Sequence, residues 1–102
     1  KHGLVGLTKV AALETATDGI TVNAICPGWT ETPILEPQIA ARAAQLGTGR
    51  EAAIRSLVAE KQPNQTLMPP AWIGEMAAFL CSDAAAGITG TALPVDGGWT
   101  AQ

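Results

Sequence analysis

The first part of the chain changes from a helical to a strand pattern of apolar positions. Between residues 4 and 13 the apolar side chains recur at the spacing of one helix face. The pattern stops at Asp18, and Gly19 can supply a left-handed cap for the helix end. Residues 20–26 are short, β-branched and mostly apolar, which is typical of a strand inside a parallel sheet. The sequence therefore predicts a helix followed by a buried strand, which Pro27 ends.

A helical hairpin is predicted for residues 34–61. Ile34–Leu46 consists mainly of helix formers, and a glycine-containing break follows. Thr48 and Glu51 have the spacing of a capping box, so a second helix is expected to begin after Thr48 and to run to about Lys61. Its predicted apolar stripe is formed by Ala53, Ile54, Leu57 and Val58.

A loop, a helix and a short strand are predicted for the remainder. Residues 62–70 are loop-like in composition, and the prolines at their end are suited to open a helix. The apolar side of that helix holds Trp72, Met76, Phe79 and Leu80. A strand is predicted for Thr91–Val95, where Pro94 cannot donate a hydrogen bond to a neighbour and so favours a sheet edge. Asp96, Gly97 and Gly98 form a turn after it.

Helices alternate with strands along the chain, which is the pattern of an α/β protein. Two strands do not make a stable parallel sheet, so most of the sheet is expected to lie outside these 102 residues. The chain opens at Lys1 with a helical pattern already under way, and we expect it to be the C-terminal part of a single larger domain. Ligands of such folds bind beyond the carboxyl ends of the strands, which points to residues 27–36.

Composition and charge narrow the classes of function. Hydrophobic residues make up 47% and charged residues 15% of the chain, against roughly 25% charged in an average soluble domain. This excludes disorder and suggests an apolar surface that something else covers. A net charge of -3 with six scattered basic residues argues against nucleic acid. The longest uncharged stretch, residues 62–74, is too short for a membrane helix and contains prolines.

Cys26 and Cys81 lie far apart, without a CxxC pair or a nearby histidine. This indicates neither a disulfide framework nor a metal site. The pattern fits a reducing compartment, and we expect a cytoplasmic protein.

Four segments together resemble the short-chain dehydrogenase/reductase family. They are KHGLVGLTK (1–9), NAICPGWTETP (23–33), PAWIGEMAAFLCSD (70–83) and ITGTALPVDGG (88–98). Their order and spacing match the C-terminal portion of the family. The resemblance implies a Rossmann-like, doubly wound parallel sheet, of which this chain holds the last two strands, with a helical substrate lid at about residues 34–61. It also implies a homotetramer.

The resemblance implies a catalytic role for Lys1. In the family a lysine follows the catalytic tyrosine by one helical turn, holds the ribose hydroxyls of the cofactor, and lowers the pKa of the phenol by stabilising the phenolate. Lys1 matches this lysine. The resemblance places the tyrosine four residues before Lys1, and the catalytic serine and the glycine-rich phosphate loop further upstream. Without the resemblance Lys1 is an ordinary solvated lysine.

The family also implies NAD as cofactor, bound in part by Pro27, Gly28, Thr32 and Ile34. The missing side chain at Gly28 is expected to let the backbone approach the nicotinamide, Thr32 to offer its hydroxyl to the carboxamide, and Ile34 to contribute backbone contact. Pro27 and Gly28 also fit a plain turn. Thr32 also fits a plain helix cap before Pro33.

Three segments, CPGWTETPILEPQI, EKQP and DGGWTAQ, resemble the D-3-hydroxybutyrate dehydrogenases within that family. This implies that Gln38 reaches the substrate carboxylate and that Trp29 and Trp99 line a small acyl pocket. From the residues alone, Gln38 is a solvated side chain. Trp29 and Trp99 follow glycines in loops, a placement that favours pocket walls. Trp72, at a helix start, is interpreted as a packing residue.

The leading hypothesis is an oxidoreductase that interconverts D-3-hydroxybutyrate and acetoacetate with NAD, so that its partner is a small hydroxy acid. The isolated chain is expected to be inactive. Fold does not fix substrate, so another reductase of the family, such as a 3-oxoacyl reductase or a sugar dehydrogenase, is the alternative. A second alternative, of a different class, is a non-catalytic assembly or binding module.

Overall fold

A computed structural model describes residues 1–102. The four helices are α1 (His2–Thr15), α2 (Glu36–Leu46), α3 (Arg50–Ala59) and α4 (Pro70–Leu80). The two strands are β1 (Ala24–Pro27) and β2 (Ala92–Val95). Short 3-10 turns occupy Ala16–Asp18, Pro33–Leu35, Asp83–Ala85 and Trp99–Ala101. The alternation of helices and strands predicted from the sequence is confirmed.

β1 and β2 pair as parallel strands. The amide of Ala24 donates to the carbonyl of Thr91, and that of Gly28 to the carbonyl of Val95, both at 2.9 Å. In both pairs the acceptor follows the donor by the same number of residues, as it does in a parallel ladder. Because the strands run in the same direction, the loops that follow them leave from the same edge of the sheet.

β1 is shorter than the predicted strand over residues 20–26. Before Ala24 the amide of Gly90 donates to the carbonyl of Val22 at 2.7 Å, but side chains make the other hydrogen bonds. The amide of Val22 donates to the Thr89 hydroxyl at 3.0 Å. The Asn23 side chain donates to the carbonyl of Ile88 and accepts from the amide of Thr91. Backbone groups satisfied in this way do not form a regular ladder, so the prediction was wrong at the start of the strand.

The chain divides into two compact units, one of residues 1–26 and 73–94 and the other of residues 27–72 and 95–102. In the first unit, Gly19 has a φ of 71°, which confirms the predicted left-handed cap. Only Thr8 and Ala12 of α1 are buried. The exposed apolar side chains of α1 are Leu4, Leu7, Val10 and Leu13. No residue of α4 is buried, including those on its predicted apolar side.

The second unit has its core between α2 and α3. Leu35, Ile39 and Ala53 form a buried cluster. The partly buried side chains packed on it are Trp29, Ala43, Ile54, Leu57 and Leu67. Val58 is also buried, so the predicted apolar stripe of the second hairpin helix is confirmed. Arg42 ties the two helices together on their polar side by donating to the Ser56 hydroxyl and the Glu60 carboxylate.

The boundaries of the hairpin differ from the prediction at two places. α2 begins at Glu36, after a 3-10 turn at Pro33–Leu35. The predicted capping box is absent: Gly49 occupies the cap position of α3, and no side chain caps that helix. The amide of Thr48 instead donates to the carbonyl of Ala43 at 3.1 Å. Thr48 therefore closes the end of α2, where Gly47 has a φ of 63°.

None of the helices has the length and apolar character required to cross a membrane. The structure also brings together no group of three or more His, Cys, Asp or Glu side chains suited to hold a metal ion.

Candidate functional site

The loop after β1 is held in place through its main chain. The amide of Met68 donates to the carbonyl of Trp29 at 3.0 Å, and the amide of Glu31 donates to the carbonyl of Met68 at 2.9 Å. Thr30 and Met68 form a parallel bridge at this point. Met68 is almost fully buried. Residues 28–31 therefore have a defined path immediately beyond the carboxyl end of β1.

Gly28 is required by packing within the chain. A Cβ atom built on Gly28 would lie 2.5 Å from Oε1 of Gln62 and 2.8 Å from Cα of Asp96. Real Cβ atoms do not approach other atoms so closely, so a side chain at this position would displace its neighbours. The sequence prediction gave a different reason, an open approach for the nicotinamide. The packing of the chain is a second reason for glycine at this position, since the chain itself fills the side-chain direction of Gly28.

Gln62 is the residue at this site that sequence reasoning missed. Its side chain is 0% exposed. Oε1 accepts from the amide of Trp29 at 2.9 Å, and Nε2 donates to Oδ1 of Asn64 and to the carbonyl of Thr66. A glutamine in a proline-rich polar loop gives no signal of burial, since glutamine is usually exposed. The one available signal was its place in the EKQP segment.

Asp96 organises the turn that follows β2. Its carboxylate accepts from the amides of Gly98 and Thr100, at 3.1 Å in both cases, and from the Thr100 hydroxyl at 2.7 Å. The hydrogen bond from the Thr100 hydroxyl is the largest cause that lowers the pKa of Asp96, and the backbone amides lower it further. Gly97 and Gly98 have φ values of 59° and 93°. The turn predicted at these residues is confirmed.

Trp29, in the loop after β1, and Trp99, in the turn after β2, lie against each other. Their ring centroids are 6.3 Å apart and their planes are inclined by 22°, which is a stacked arrangement. Trp99 is 37% exposed. Nε1 of Trp29 is buried and has no hydrogen-bond partner in the chain. Buried N–H groups are nearly always paired, so this donor indicates an acceptor supplied by a ligand or by a further part of the protein.

Thr32, Ile34 and Gln38 follow along the same segment. Thr32 has the extended backbone of a cap residue and its carbonyl accepts from the amide of Leu35, but its hydroxyl makes no cap hydrogen bond. The side chain of Ile34 is 79% exposed, and that of Gln38 is also exposed. All three side chains are therefore free of partners within the chain and can be offered to a ligand.

Lys1 belongs to the first unit, and the residues described above belong to the second. It is exposed and directly precedes α1, and its carbonyl accepts from the amide of Leu4 at 3.1 Å. Its ammonium makes no hydrogen bond or ion pair with the chain. Pro27 is exposed at the end of β1. The structure thus brings together Gly28, Trp29 and Trp99 of the predicted site residues.

Comparison with known proteins places this arrangement in a family. A family model described as enoyl-(acyl carrier protein) reductase matches residues 1–100. A short chain dehydrogenase family protein from Francisella tularensis superposes on 100% of this chain, with a TM-score of 0.86 and 33% identity, over 42% of its own length. The chain belongs to the short-chain dehydrogenase/reductase family. The predicted Rossmann-like fold class is confirmed.

Two relatives within the short-chain dehydrogenase/reductase family are D-beta-hydroxybutyrate dehydrogenases. The one from Cupriavidus necator is 52% identical over 102 residues, and the one from Rhizobium meliloti is 45% identical over the same length. Both comparisons cover 100% of this chain and 40% of the relative. The chain thus spans less than half the length of these proteins. The resemblance to D-3-hydroxybutyrate dehydrogenases is confirmed at the level of sequence.

Structures of other short-chain dehydrogenases/reductases contain nicotinamide cofactors. A 4-hydroxyisoleucine dehydrogenase complexed with NADH has a TM-score of 0.82 and 35% identity, over 99% of this chain and 37% of its own. L-Sorbose reductase from Gluconobacter frateurii, complexed with NADPH and L-sorbose, has a TM-score of 0.88 and 29% identity, over 99% and 38%. The structural relatives therefore include proteins that bind either cofactor.

Proposed function

We propose that the protein containing this chain is an oxidoreductase that interconverts D-3-hydroxybutyrate and acetoacetate with NAD. The observation that carries the proposal is the stacked pair of Trp29 and Trp99 beyond the carboxyl ends of the two strands. Two facing indole rings make a narrow apolar wall, which suits a substrate with a single methyl group at one end. The identity of 52% with a D-beta-hydroxybutyrate dehydrogenase supports the same substrate.

The residues of the second unit fit the nicotinamide end of the cofactor. Thr32 keeps a hydroxyl without a partner, and its loop leaves the carboxyl end of β1, where ligands of such folds bind. In this proposal the Thr32 hydroxyl holds the carboxamide, and Pro27, Gly28 and Ile34 make backbone or apolar contact. When bound, the cofactor supplies the hydride acceptor for the oxidation of the alcohol.

The substrate is held from both ends. Gln38 is exposed on the first turn of α2 and makes no hydrogen bond within the chain. Its amide nitrogen donates to the substrate carboxylate, and the stacked pair of Trp29 and Trp99 contacts the methyl group. Lys1 acts on the proton transfer: its ammonium stabilises the phenolate of the tyrosine that the family places one helical turn earlier. That tyrosine accepts the proton of the substrate hydroxyl.

The protein is further proposed to be a homotetramer of the cytoplasm. Both cysteines are free, and Cys81 is exposed, which favours a reducing compartment. The exposed leucines of α1 support burial of this helix in the whole protein. The rest of the domain and further copies of it would cover this face.

The test uses the complete enzyme, a polypeptide that carries this chain together with the remaining length of its relatives. The rate of NADH formation is measured with both enantiomers of 3-hydroxybutyrate. A panel of sugars and 3-oxoacyl thioesters is assayed in parallel with NAD(H) and NADP(H). We expect the highest kcat/KM with D-3-hydroxybutyrate and NAD. A kcat/KM for D-3-hydroxybutyrate that is lower than that for one of the sugars or thioesters contradicts the proposal.

The role of Gln38 has a matched control on the same helix. Gln38→Ala removes a hydrogen bond to a charged group, which contributes about 1.5–3 kcal/mol. We therefore expect KM for D-3-hydroxybutyrate to rise by roughly 10-fold or more. Gln45→Ala changes an exposed glutamine seven positions further along α2 and should leave KM unchanged. Equal KM values for the two variants contradict the assignment of Gln38.

A further inference from the structure

Gln62 is one of only two buried polar residues of the chain, the other being Thr8. Burial of an amide group is costly unless its polar atoms are paired. The carbonyl oxygen of Gln62 accepts one hydrogen bond, from the amide of Trp29, and its nitrogen donates both hydrogens, to Asn64 and to the carbonyl of Thr66. Exchanging the amide oxygen and nitrogen would break all three hydrogen bonds. The orientation of this side chain is therefore fixed by its surroundings.

The side chain of Gln62 fills the space beside two glycines. A Cβ atom on Gly28 would lie 2.5 Å from Oε1 of Gln62. One on Gly97 would lie 2.5 Å from Cγ of Gln62 and would also meet the side chain of Asn64, which is hydrogen-bonded to Gln62. Gly28 directly precedes Trp29, and Gly97 lies two residues before Trp99. The buried Gln62 side chain, together with that of Asn64 beside Gly97, thus separates the main chains that carry the two stacked indole rings.

Gln62 also connects these loops with the helical hairpin. Its amide donates to the carbonyl of Val58 at 2.9 Å, which continues the last turn of α3. Asn64, which accepts from the Gln62 side chain, donates through its own amide to the carbonyl of Gly97 at 3.0 Å. The backbone after α3 is therefore bonded to the turn after β2, while the Gln62 side chain is bonded to the loop after β1.

We propose that Gln62 is a positioning residue that fixes the relative position of Trp29 and Trp99, the stacked pair that lines the proposed acyl pocket, and so selects the length of the acyl chain of the substrate. The proposal rests on the proposed function, because it concerns the same pocket. Gln62 touches no substrate. It acts by fixing the main-chain amide of Trp29 against the Gly97 turn, from which Trp99 follows.

The first test compares D-3-hydroxybutyrate with D-3-hydroxypentanoate, which is longer by one methylene. A pocket of fixed size distinguishes one methylene by roughly 10–200-fold in kcat/KM. Gln62→Ala leaves the Trp29 amide without its acceptor and opens a cavity between the loops. We expect the ratio of the two kcat/KM values to fall about 5-fold or more in this variant. Loss of folded enzyme alone does not change the ratio, since both substrates report on the same active molecules.

Asn64→Ala is a milder second variant in case Gln62→Ala does not fold. Asn64 is exposed, and its replacement removes only one of the partners of the Gln62 amide. The expected fall in the ratio is in the same direction and smaller. The control is Gln65→Asn: Gln65 is exposed, its side chain makes no hydrogen bond, and its φ of 54° is one that asparagine tolerates. This control should keep the wild-type ratio.

A spectroscopic test separates this proposal from the proposed function. Two stacked indoles 6.3 Å apart couple their electronic transitions, and Trp99→Phe identifies the resulting circular-dichroism couplet in the complete enzyme. Gln62→Ala should weaken the couplet, and Gln65→Asn should not. If the wild type does not oxidise hydroxybutyrate, the proposed function fails, and an unchanged couplet in Gln62→Ala then overturns the role of Gln62. If the wild type is active, an unchanged substrate ratio in Gln62→Ala and Asn64→Ala overturns that role alone.

Discussion

At the scale of single residues, Asp96 shows how one carboxylate holds a functional turn. It accepts hydrogen bonds from Gly98 and from the amide and hydroxyl of Thr100, and thereby fixes the 3-10 turn that contains Trp99. The pKa of Asp96 lies below its ordinary value of 3.8, chiefly because the Thr100 hydroxyl donates to the ionised form. A group with a lowered pKa in the folded state stabilises that state wherever it is ionised.

Asp96→Asn is expected to destabilise the complete enzyme at neutral pH and to have less effect in acid. The contribution of Asp96 is fully present above its ordinary pKa of 3.8 and is lost as the pH falls through the lower pKa of the folded state. Urea unfolding of wild type and variant from about pH 7 down to pH 3 measures the difference. A difference that stays constant over this range contradicts the role of the charge.

The residues of the candidate site were predictable to different degrees. The two tryptophans could be found because each follows glycine in a loop, where a large apolar side chain is conspicuous. Gln62 could not be found, because its burial depends on two glycines that lie 34 positions before it and 35 after it along the sequence. Gly28 was identified as a cofactor contact, and no feature of the sequence indicated that Gln62 and Asp96 pack against it.

At the scale of elements, the helical hairpin shows why the type of a secondary-structure element is easier to predict than its first and last residues. The apolar stripe of α3 follows from periodicity alone, and it packs on α2 as expected. The position of the cap depends on which group binds the amide of Thr48. This amide donates to the carbonyl of Ala43 at the end of α2, so Thr48 belongs to the end of α2 and does not begin α3. The strand prediction failed for a similar reason, since the side chains of Asn23 and Thr89 replace some of the backbone hydrogen bonds of a regular ladder.

The hairpin is expected to become more protected when ligands bind. Only four residues of the segment 35–59 are buried, namely Leu35, Ile39, Ala53 and Val58, so the free energy of local opening is small. Hydrogen exchange of the complete enzyme should slow across residues 36–59 when NAD and D-3-hydroxybutyrate are added together. Residues 73–80 of α4 serve as the internal reference and should change little. Unchanged exchange across the hairpin contradicts its role as a substrate lid.

At the scale of the whole molecule, the apolar surface of α1 is the main sign that this chain is covered by further protein. Leu13 is 80% exposed and Leu4 is 62% exposed. A helix that is apolar around most of its circumference is typical of the interior of a larger protein. The average composition of the chain predicted this surface, and the structure locates it on α1.

Leu13→Glu should have opposite effects in two contexts. In the isolated 102-residue chain the charge replaces an exposed leucine, and we expect less aggregation by light scattering. In the complete enzyme the same charge is expected to become buried without a partner, which lowers Tm by about 5 °C or more. Glu14→Gln, at the next and also exposed position of α1, is the control for both measurements. If Leu13→Glu improves the behaviour of both the isolated chain and the complete enzyme, or impairs both, the apolar face of α1 is not covered in the complete enzyme.

The parallel pairing of β1 and β2 has a consequence for the order in which the chain folds during synthesis. Val22 and Thr89, which are hydrogen-bonded, are 67 positions apart, and the strand hydrogen bonds that follow join equally distant residues. At about 5–20 residues per second, a ribosome needs roughly 3–13 s to supply the partner of β1. The helices of the hairpin make contacts close in sequence and can form within this interval. The edge of β1 that pairs with β2 can therefore be completed only after the whole hairpin and α4 have been synthesised.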